Sequence, residues 1–266
     1  MNEFLKIAVE AATSAGEYIK QSAHKIERLK ITEKSVHDYV SEVDRHSEII
    51  ITDLLAKNFP EHRVLGEEHG RCGNDSSDYQ WIIDPLDGTT NFLRSIPHYA
   101  ISIALLHKGE IVIGVVYDVP KSELFYACKG QGAFLNQVEI NVSQKKSFQG
   151  SLLATGVPFN GENLEKISSF TTTMESLLAL QTSGIRRLGA AALDLAYIAC
   201  GRYDGFWEAN LQSWDIAAGA LLVKEAGGVV TDLNGGNEYL KSGNILAACK
   251  QVHAQMLVVT SRCYEK

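Results

Sequence analysis

The sequence predicts a mixed fold, α+β in its first half and α/β in its second, and three changes of texture along the 266 residues carry that expectation. The first sixty residues place apolar side chains at helical spacing, residues 63–134 break into short β-rich runs between tight turns, and after Gly150 strands alternate with helices.

In order, Phe4, Leu5, Val9, Ala12, Gly16 and Ile19 recur near the helical period and predict a first helix. A second amphipathic stretch, Ser41 to Lys57, sets Val43, Ile50, Leu54 and Leu55 on one side. The runs RVLGEE, YQWIID, ISIALLH, EIVIGVVYD, ELFYAC and GAFLN follow, separated by Gly, Pro and Lys-Gly turns, and read as a largely antiparallel sheet. Beyond Gly150 come strand-like SLLATG, a helix near Leu164 to Leu180, GIRRLG, a helix near Ala190 to Ala199, DGFWEA and a helix near Trp214 to Ala226. GGVVTDL and NILAACK add two strands before a last helix around Val252 to Thr260. With no repeat, low-complexity tract or long polar linker, halves 1–150 and 151–266 are expected to pack as one unit.

Composition narrows the function. Apolar residues make up 45% of the chain, enough for a large core, and the net charge of −7 repels nucleic acid and anionic lipid on average, so small molecules and cations are the expected partners. Cys72, Cys128, Cys200, Cys249 and Cys263 are odd in number and far apart, which suits free thiols in a reducing compartment. The first twenty residues carry Glu3, Glu10 and Glu17 and lack the apolar core of a signal peptide, and no apolar run approaches membrane-spanning length. A cytoplasmic protein without membrane contact is expected.

The chemistry is concentrated in WIIDPLDGTTNF, Trp81 to Phe92. An apolar strand delivers Asp84, and Pro85 is expected to stop the ladder and hold Asp84 extended at a sheet edge. Asp87, Gly88, Thr89 and Thr90 suit a turn that opens a helix, with N–H groups and a hydroxyl aimed at one spot. Two acids beside an anion nest repel a phosphate unless a cation intervenes, and hard oxygen donors suit Mg²⁺. Upstream, RVLGEEHG is read as a strand ending in Glu67-Glu68, whose alternation lets one acid, Glu67, face the aspartates. Downstream, SWDIAAGALLVKEAGG puts Asp215 at a helix start, where a lone acid is ordinarily a cap.

Taken together, these segments resemble the inositol monophosphatases, within the Mg²⁺-dependent, lithium-sensitive sugar phosphatases. WIIDPLDGTTNF is similar to the family's first signature and WDIAAGALLVKEAGG to its second, with SEVD, GEE, GVVYD, KGQGAF and RRLGAAALDLAYIACGRYDGFWE in family order. The resemblance implies a layered αβαβα sandwich, a homodimer, and two to three Mg²⁺ per subunit. It implies that Glu67, Asp84 and the Leu86 carbonyl hold a first ion and that Asp84, Asp87 and Asp215 hold a second, with Glu67 contributing to a third. Gly88 and Thr89 would bind phosphate, and the Asp44–Thr89 pair would activate the attacking water, with Glu67 assisting through metal-bound water. Asp87, Gly189, Ala190, Ala191, Glu208 and Asp215 would contact a phosphorylated polyol. The implied reaction is hydrolysis of myo-inositol 1-phosphate by an activated water without a covalent intermediate. Fructose 1,6-bisphosphate, a 3′-phosphoadenosine nucleotide, histidinol phosphate and NADP are the alternative substrates within the same superfamily.

Other signals carry less. Gly130-Gln131-Gly132 lacks the remaining glycines of a dinucleotide site, there is no GxxxxGK[ST], and no histidine pair has zinc spacing. His69 and His98 are read as surface or packing residues. Arg186, Arg187 and Arg202 form a basic cluster that supports a different class of function, a binding module acting through a macromolecule in RNA metabolism, against which the net charge weighs. Nucleic acid is accordingly not expected as the main partner.

Overall fold

The structure is a computed structural model, and it describes residues 2–25, 31–35, 38–158 and 166–264. Helix α1 (Glu3–Ala23) starts where Asn2 accepts the Phe4 N–H at 3.0 Å, and it buries Leu5, Ala8, Ala12, Ala15 and Ile19. After the hairpin β1 (Ile31–Ser35) and β2 (Asp38–Ser41), helix α2 (Glu42–Asn58) packs along α1. Both helices cover one face of an eight-stranded sheet.

That sheet comprises β3 (Arg63–Gly66), β4 (Gly70–Gly73), β5 (Tyr79–Asp87), β6 (Ala100–His107), β7 (Glu110–Asp118), β8 (Glu123–Cys128), β9 (Ala133–Leu135) and β10 (Val138–Ile140), with the short helix α3 (Thr89–Leu93) after β5. Its order is β10-β9-β8-β7-β6-β5-β3-β4, antiparallel throughout except where β3 runs parallel to β5. The smaller sheet, order β12-β11-β13-β15-β14, uses β11 (Leu152–Thr155), β12 (Gly184–Arg186), β13 (Gly205–Glu208), β14 (Val229–Thr231) and β15 (Ile245–Ala248). Strand β11 pairs parallel with β12 and β13, and β15 antiparallel with β13 and β14.

Between the sheets lie α5 (Ala191–Ala199) and α6 (Ser213–Glu225), buried on nearly every side, as helices of this apolar character must be. Helices α4 (Ile167–Ala179) and α8 (Lys250–Cys263) close the outer face of the second sheet, and α7 (Tyr239–Ser242) is a single turn. The architecture is therefore the helix–sheet–helix–sheet–helix sandwich. Trp81 and Phe92 anchor the core beneath α1 and α2, Phe206 the core between the sheets, and Trp207, stacked on Phe170 of α4, the core under the outer helices, each contributing on the order of 2 to 3 kcal/mol.

Three sequence expectations need correcting here. Strand β3 ends at Gly66, so Glu67 and Glu68 sit in a turn and strand alternation does not choose between them. Pro85 does not stop the ladder, because β5 continues to Asp87, and β5 is an interior strand rather than a sheet edge. The helix expected from Leu164 is observed from Ile167 to Ala179; Leu164 and Glu165 lie outside the described residues. Among the described residues, no helix is long and apolar enough to cross a membrane.

Candidate active site

The continuation of β5 through Pro85 is what assembles the acids. In a regular strand, residues three apart face opposite ways. Here Asp84 pairs with Ser102 and Asp87 with Ala100, so β5 has one residue more than β6 across the same rungs. This bulge turns Asp84 and Asp87 to one side, with Pro85 at a position where no ladder N–H is needed. The Asp84 carboxylate accepts the Leu86 N–H at 2.9 Å. Burial, then the charges of Glu67, Asp87 and Asp215, hold its carboxyl well above the usual carboxylate range. Asp87 is raised likewise, by burial first and Asp215 next, while the Ala192 N–H at 2.7 Å opposes the shift.

Glu67 arrives through the end of the parallel pair. Its N–H donates to the Ile83 carbonyl at 3.1 Å, one rung past β3 and next to Asp84. The turn that carries it is held by Glu48, a fully buried acid on α2. Glu48 accepts the Glu68 N–H at 2.9 Å and the His69 N–H at 2.8 Å, and its Oε1 lies 2.7 Å from His69 Nδ1. A Cβ on Gly66 would overlap the Glu48 carboxylate. His69 thus braces the turn, and the sequence reading passed over Glu48 although it lies one helical turn after Asp44, on the same face of α2.

Asp44 itself sits in the first turn of α2, 2% exposed. One oxygen accepts the Ser41 N–H at 2.9 Å and the Ser41 hydroxyl at 2.6 Å; the other is 2.8 Å from Thr89 Oγ1. Burial pushes its pKa up against these hydrogen bonds. The Thr89 hydroxyl also lies 3.1 Å from the Leu86 carbonyl, so its single proton is shared between two acceptors. Gly88 precedes Thr89 at φ +92°, and a side chain there would meet the His98 carbonyl at 3.0 Å and the Gly189 carbonyl at 3.3 Å. Only glycine suits both constraints.

The second half closes the site. Ser102, opposite Asp84, donates to the Trp214 carbonyl at 2.9 Å and so brings Asp215 beside the bulge. One Asp215 oxygen caps the Gln212 N–H at 2.7 Å while its charge reaches Asp84, Asp87 and Glu208. Ala190 and Ala191 are buried at the N-terminus of α5, and Gly189 precedes them at φ +82°, in the loop whose carbonyls Asn91 ties to α3. The α5 N–H that meets an acid is that of Ala192, which the sequence reading did not name. Glu208 ends β13, its carboxyl pushed up to about 8 by burial and then Asp215, against the Arg187 charge and the Gly156 N–H. Asp194 was also missed: it is buried in α5, its Oδ1 has no hydrogen-bond partner among the described residues, and burial with the charges of Glu208 and Asp87 raises it strongly. A charged residue inside the apolar run AALDLAYIA was the available signal.

The basic cluster does not act as one unit. Arg202 forms a two-pronged pair with Glu123 at 2.5 Å per contact and stacks on Tyr197, whereas Arg187 faces Glu208 and Asp194. His98 is buried, with burial pushing its pKa down to about 4.

The chain as a whole matches known proteins. The profile of the inositol monophosphatase family covers residues 1–266. The chain belongs to the inositol monophosphatase family. "Nus factor SuhB" of Pseudomonas aeruginosa is 48% identical over 249 residues, 93% of this chain and 92% of that protein. Among solved structures, extragenic suppressor protein suhB from Bartonella henselae superposes with a TM-score of 0.93 at 42% identity, over 97% of this chain and 98% of that one. Inositol monophosphatase from Anabaena (Nostoc) sp. PCC 7120 gives 0.83 at 36% identity, over 97% and 95%.

Inositol monophosphatases are typically Mg²⁺-dependent, and the donor set here is of the right chemistry. Asp84, Asp87, Glu67 and Asp215 are within mutual electrostatic range, and each carboxylate offers hard oxygens. Among the described residues, no three His, Cys, Asp or Glu side chains close into a finished metal cage. Two carboxylates 4 Å apart repel by about 4 kcal/mol at an effective dielectric near 20, so these acids draw together only around a counter-charge. Without one, they hold protons instead, which is the direction in which Asp84 and Asp87 are shifted.

Proposed function

We propose that this protein hydrolyses phosphate monoesters with Mg²⁺, and that myo-inositol 1-phosphate is its preferred ester. The carrying observation is the Thr89–Asp44 hydrogen bond beside the carboxylates gathered by the β5 bulge. Glu67, Asp84, Asp87, Asp215 and the Leu86 carbonyl would hold two to three ions. Bound there, the ions supply Lewis acidity and positive charge for a phosphate dianion. Asp44, whose carboxylate accepts from Thr89, orients the hydroxyl and takes up the proton that attacking water must lose. The N–H groups of Gly88 and Thr89 face the phosphate, while Glu208 and the 189–191 loop grip ring hydroxyls. No protein nucleophile is needed. The free thiols, of which Cys128 and Cys249 are buried, suit a cytoplasmic setting, and a homodimer is the proposed assembly.

Inorganic phosphate released from myo-inositol 1-phosphate, fructose 1,6-bisphosphate, adenosine 3′,5′-bisphosphate, histidinol phosphate and NADP tests this reading, with Mg²⁺, with EDTA and with added Li⁺. Mg²⁺-dependent turnover led by the inositol ester is expected. Preference for another ester would replace the substrate while keeping the chemistry, and no turnover of any ester would overturn both.

A second reading has its own support in the name "Nus factor" borne by relatives 43% to 48% identical over nearly their whole length. On this reading the chain also works through a macromolecular partner in RNA metabolism, with or without catalysis. The net charge of −7 does not oppose it strongly, since that figure constrains the average surface and not a local patch. A catalytically dead Asp84→Asn protein that still restores growth to a strain lacking the gene would favour the binding role. Loss of growth together with activity would count against it.

A further inference from the structure

We infer that Gly156, through its missing side chain, is the positioning residue that sets polyol selectivity, because it gives the Glu208 carboxylate its seat. The inference rests on the reading of Glu208 as the acid that grips the substrate's hydroxyls. Gly156 follows β11 and faces the end of β13, where its N–H hydrogen-bonds the Glu208 carboxylate. A Cβ on Gly156 would fall on that carboxylate, overlapping its carbon and both oxygens, well inside the roughly 3.5 Å at which nonbonded carbons rest.

The backbone cannot withdraw to make room. Thr155 pairs with Trp207 in register, and its buried hydroxyl lies 2.8 Å from the Trp207 carbonyl and 3.0 Å from that of Gly156. Gly156 is not among the glycines with a left-handed backbone, so alanine is conformationally acceptable and only the Glu208 side chain stands in its way. The space beside that side chain is a cavity of about 20 Å³ whose lining includes Gly156, Lys166, Phe170, Trp207, Glu208 and Tyr264, so a displaced carboxylate leaves its seat on the Gly156 N–H. In front of the side chain stands Asp215, whose charge already opposes Glu208. A methyl group at 156 therefore displaces the carboxylate and removes its N–H partner without disturbing the acids of the β5 bulge.

The test is the ratio of kcat/KM for myo-inositol 1-phosphate to that for p-nitrophenyl phosphate, an ester without ring hydroxyls, in wild type, G156A, E208Q, E208D and G156A/E208D. G156A is expected to lower the ratio roughly tenfold or more, the scale of one hydrogen bond to a charged group. Because an aspartate carboxylate ends one methylene short of the clash, G156A/E208D should fall no further than E208D alone. A ratio in G156A within about twofold of wild type, with E208Q lowered, overturns this inference and leaves the Glu208 reading standing. Ratios unchanged in both G156A and E208Q overturn the two together. Equal losses on both esters in G156A, with a lowered Tm, would mark the residue as merely structural and likewise overturn the inference.

Discussion

Stripping the metal from this protein should make its stability fall as pH rises from 6.5 to 8.5. Glu208 is pushed from its usual 4.5 up to about 8, so over this interval the folded protein must surrender a proton that the unfolded chain has already lost. Integrating between those limits, Glu208 alone removes about 2 kcal/mol, or about 4 to 8 °C in Tm for a domain of this size. Asp84, Asp87 and Asp194 are raised in the same direction, chiefly by burial. His98 and His253 do not contribute to the fall. Burial pushes both down to about 4, so their contribution is complete above their usual 6.5 and is lost only as pH drops towards 4. Scanning calorimetry in EDTA across the interval provides the assay, with Glu208→Gln as the internal control. The control should be the more stable protein at pH 8.5 and should show a shallower slope by about one proton. Saturating Mg²⁺ should stabilise wild type more at pH 8.5 than at pH 6.5, because the ion replaces the protons as counter-charge. A metal-free Tm that stays level across the interval, or a Glu208→Gln slope equal to wild type, would refute the reasoning.

Three other perturbations separate the parts of the site. Glu48→Gln sets an amide NH2 against one of the two backbone N–H donors that the carboxylate accepts, so Mg²⁺ affinity measured by calorimetric titration should fall about 10- to 100-fold; unchanged affinity would remove Glu48 from the support of Glu67. Thr89→Ala should cost about 10²- to 10⁴-fold in kcat while Thr89→Ser keeps most of it, and kcat/KM should climb with pH through the raised Asp44 pKa; equal rates for the two variants would argue against the hydroxyl's role. Gly88→Ala places a methyl group at φ +92° against two carbonyls and should cost about 1 to 3 kcal/mol in urea unfolding, whereas a neutral result would mean that the turn relaxes freely.

Much of this site was legible because its residues are close in sequence or carry a strong local rule. Ser41 before an amphipathic run marked the start of α2, the apolar WII marked β5, and the dense DPLDGTT segment stood out from ordinary turns. The bulge was not legible. Proline in a strand ordinarily ends the ladder, and here β6 alone flanks β5 beyond Ile83, so the ladder survives with one extra residue. Nor was the turn at Glu67 legible from strand alternation, because its placement depends on Glu48, nineteen positions earlier. Gly156 carried no signal at all: a glycine after a strand reads as a turn until the acid from β13 is seen in the space a side chain would fill. Long-range packing decided each of these positions, and single-sequence patterns are blind to it.

If the carboxylates gathered by the β5 bulge form a metal-dependent phosphatase centre, Asp84→Asn should abolish it. The variant, shown folded by circular dichroism, is assayed side by side for Mg²⁺ binding by calorimetry and for phosphate release from myo-inositol 1-phosphate. Binding and turnover are expected to disappear together. Wild-type turnover by a folded Asp84→Asn protein would contradict that expectation.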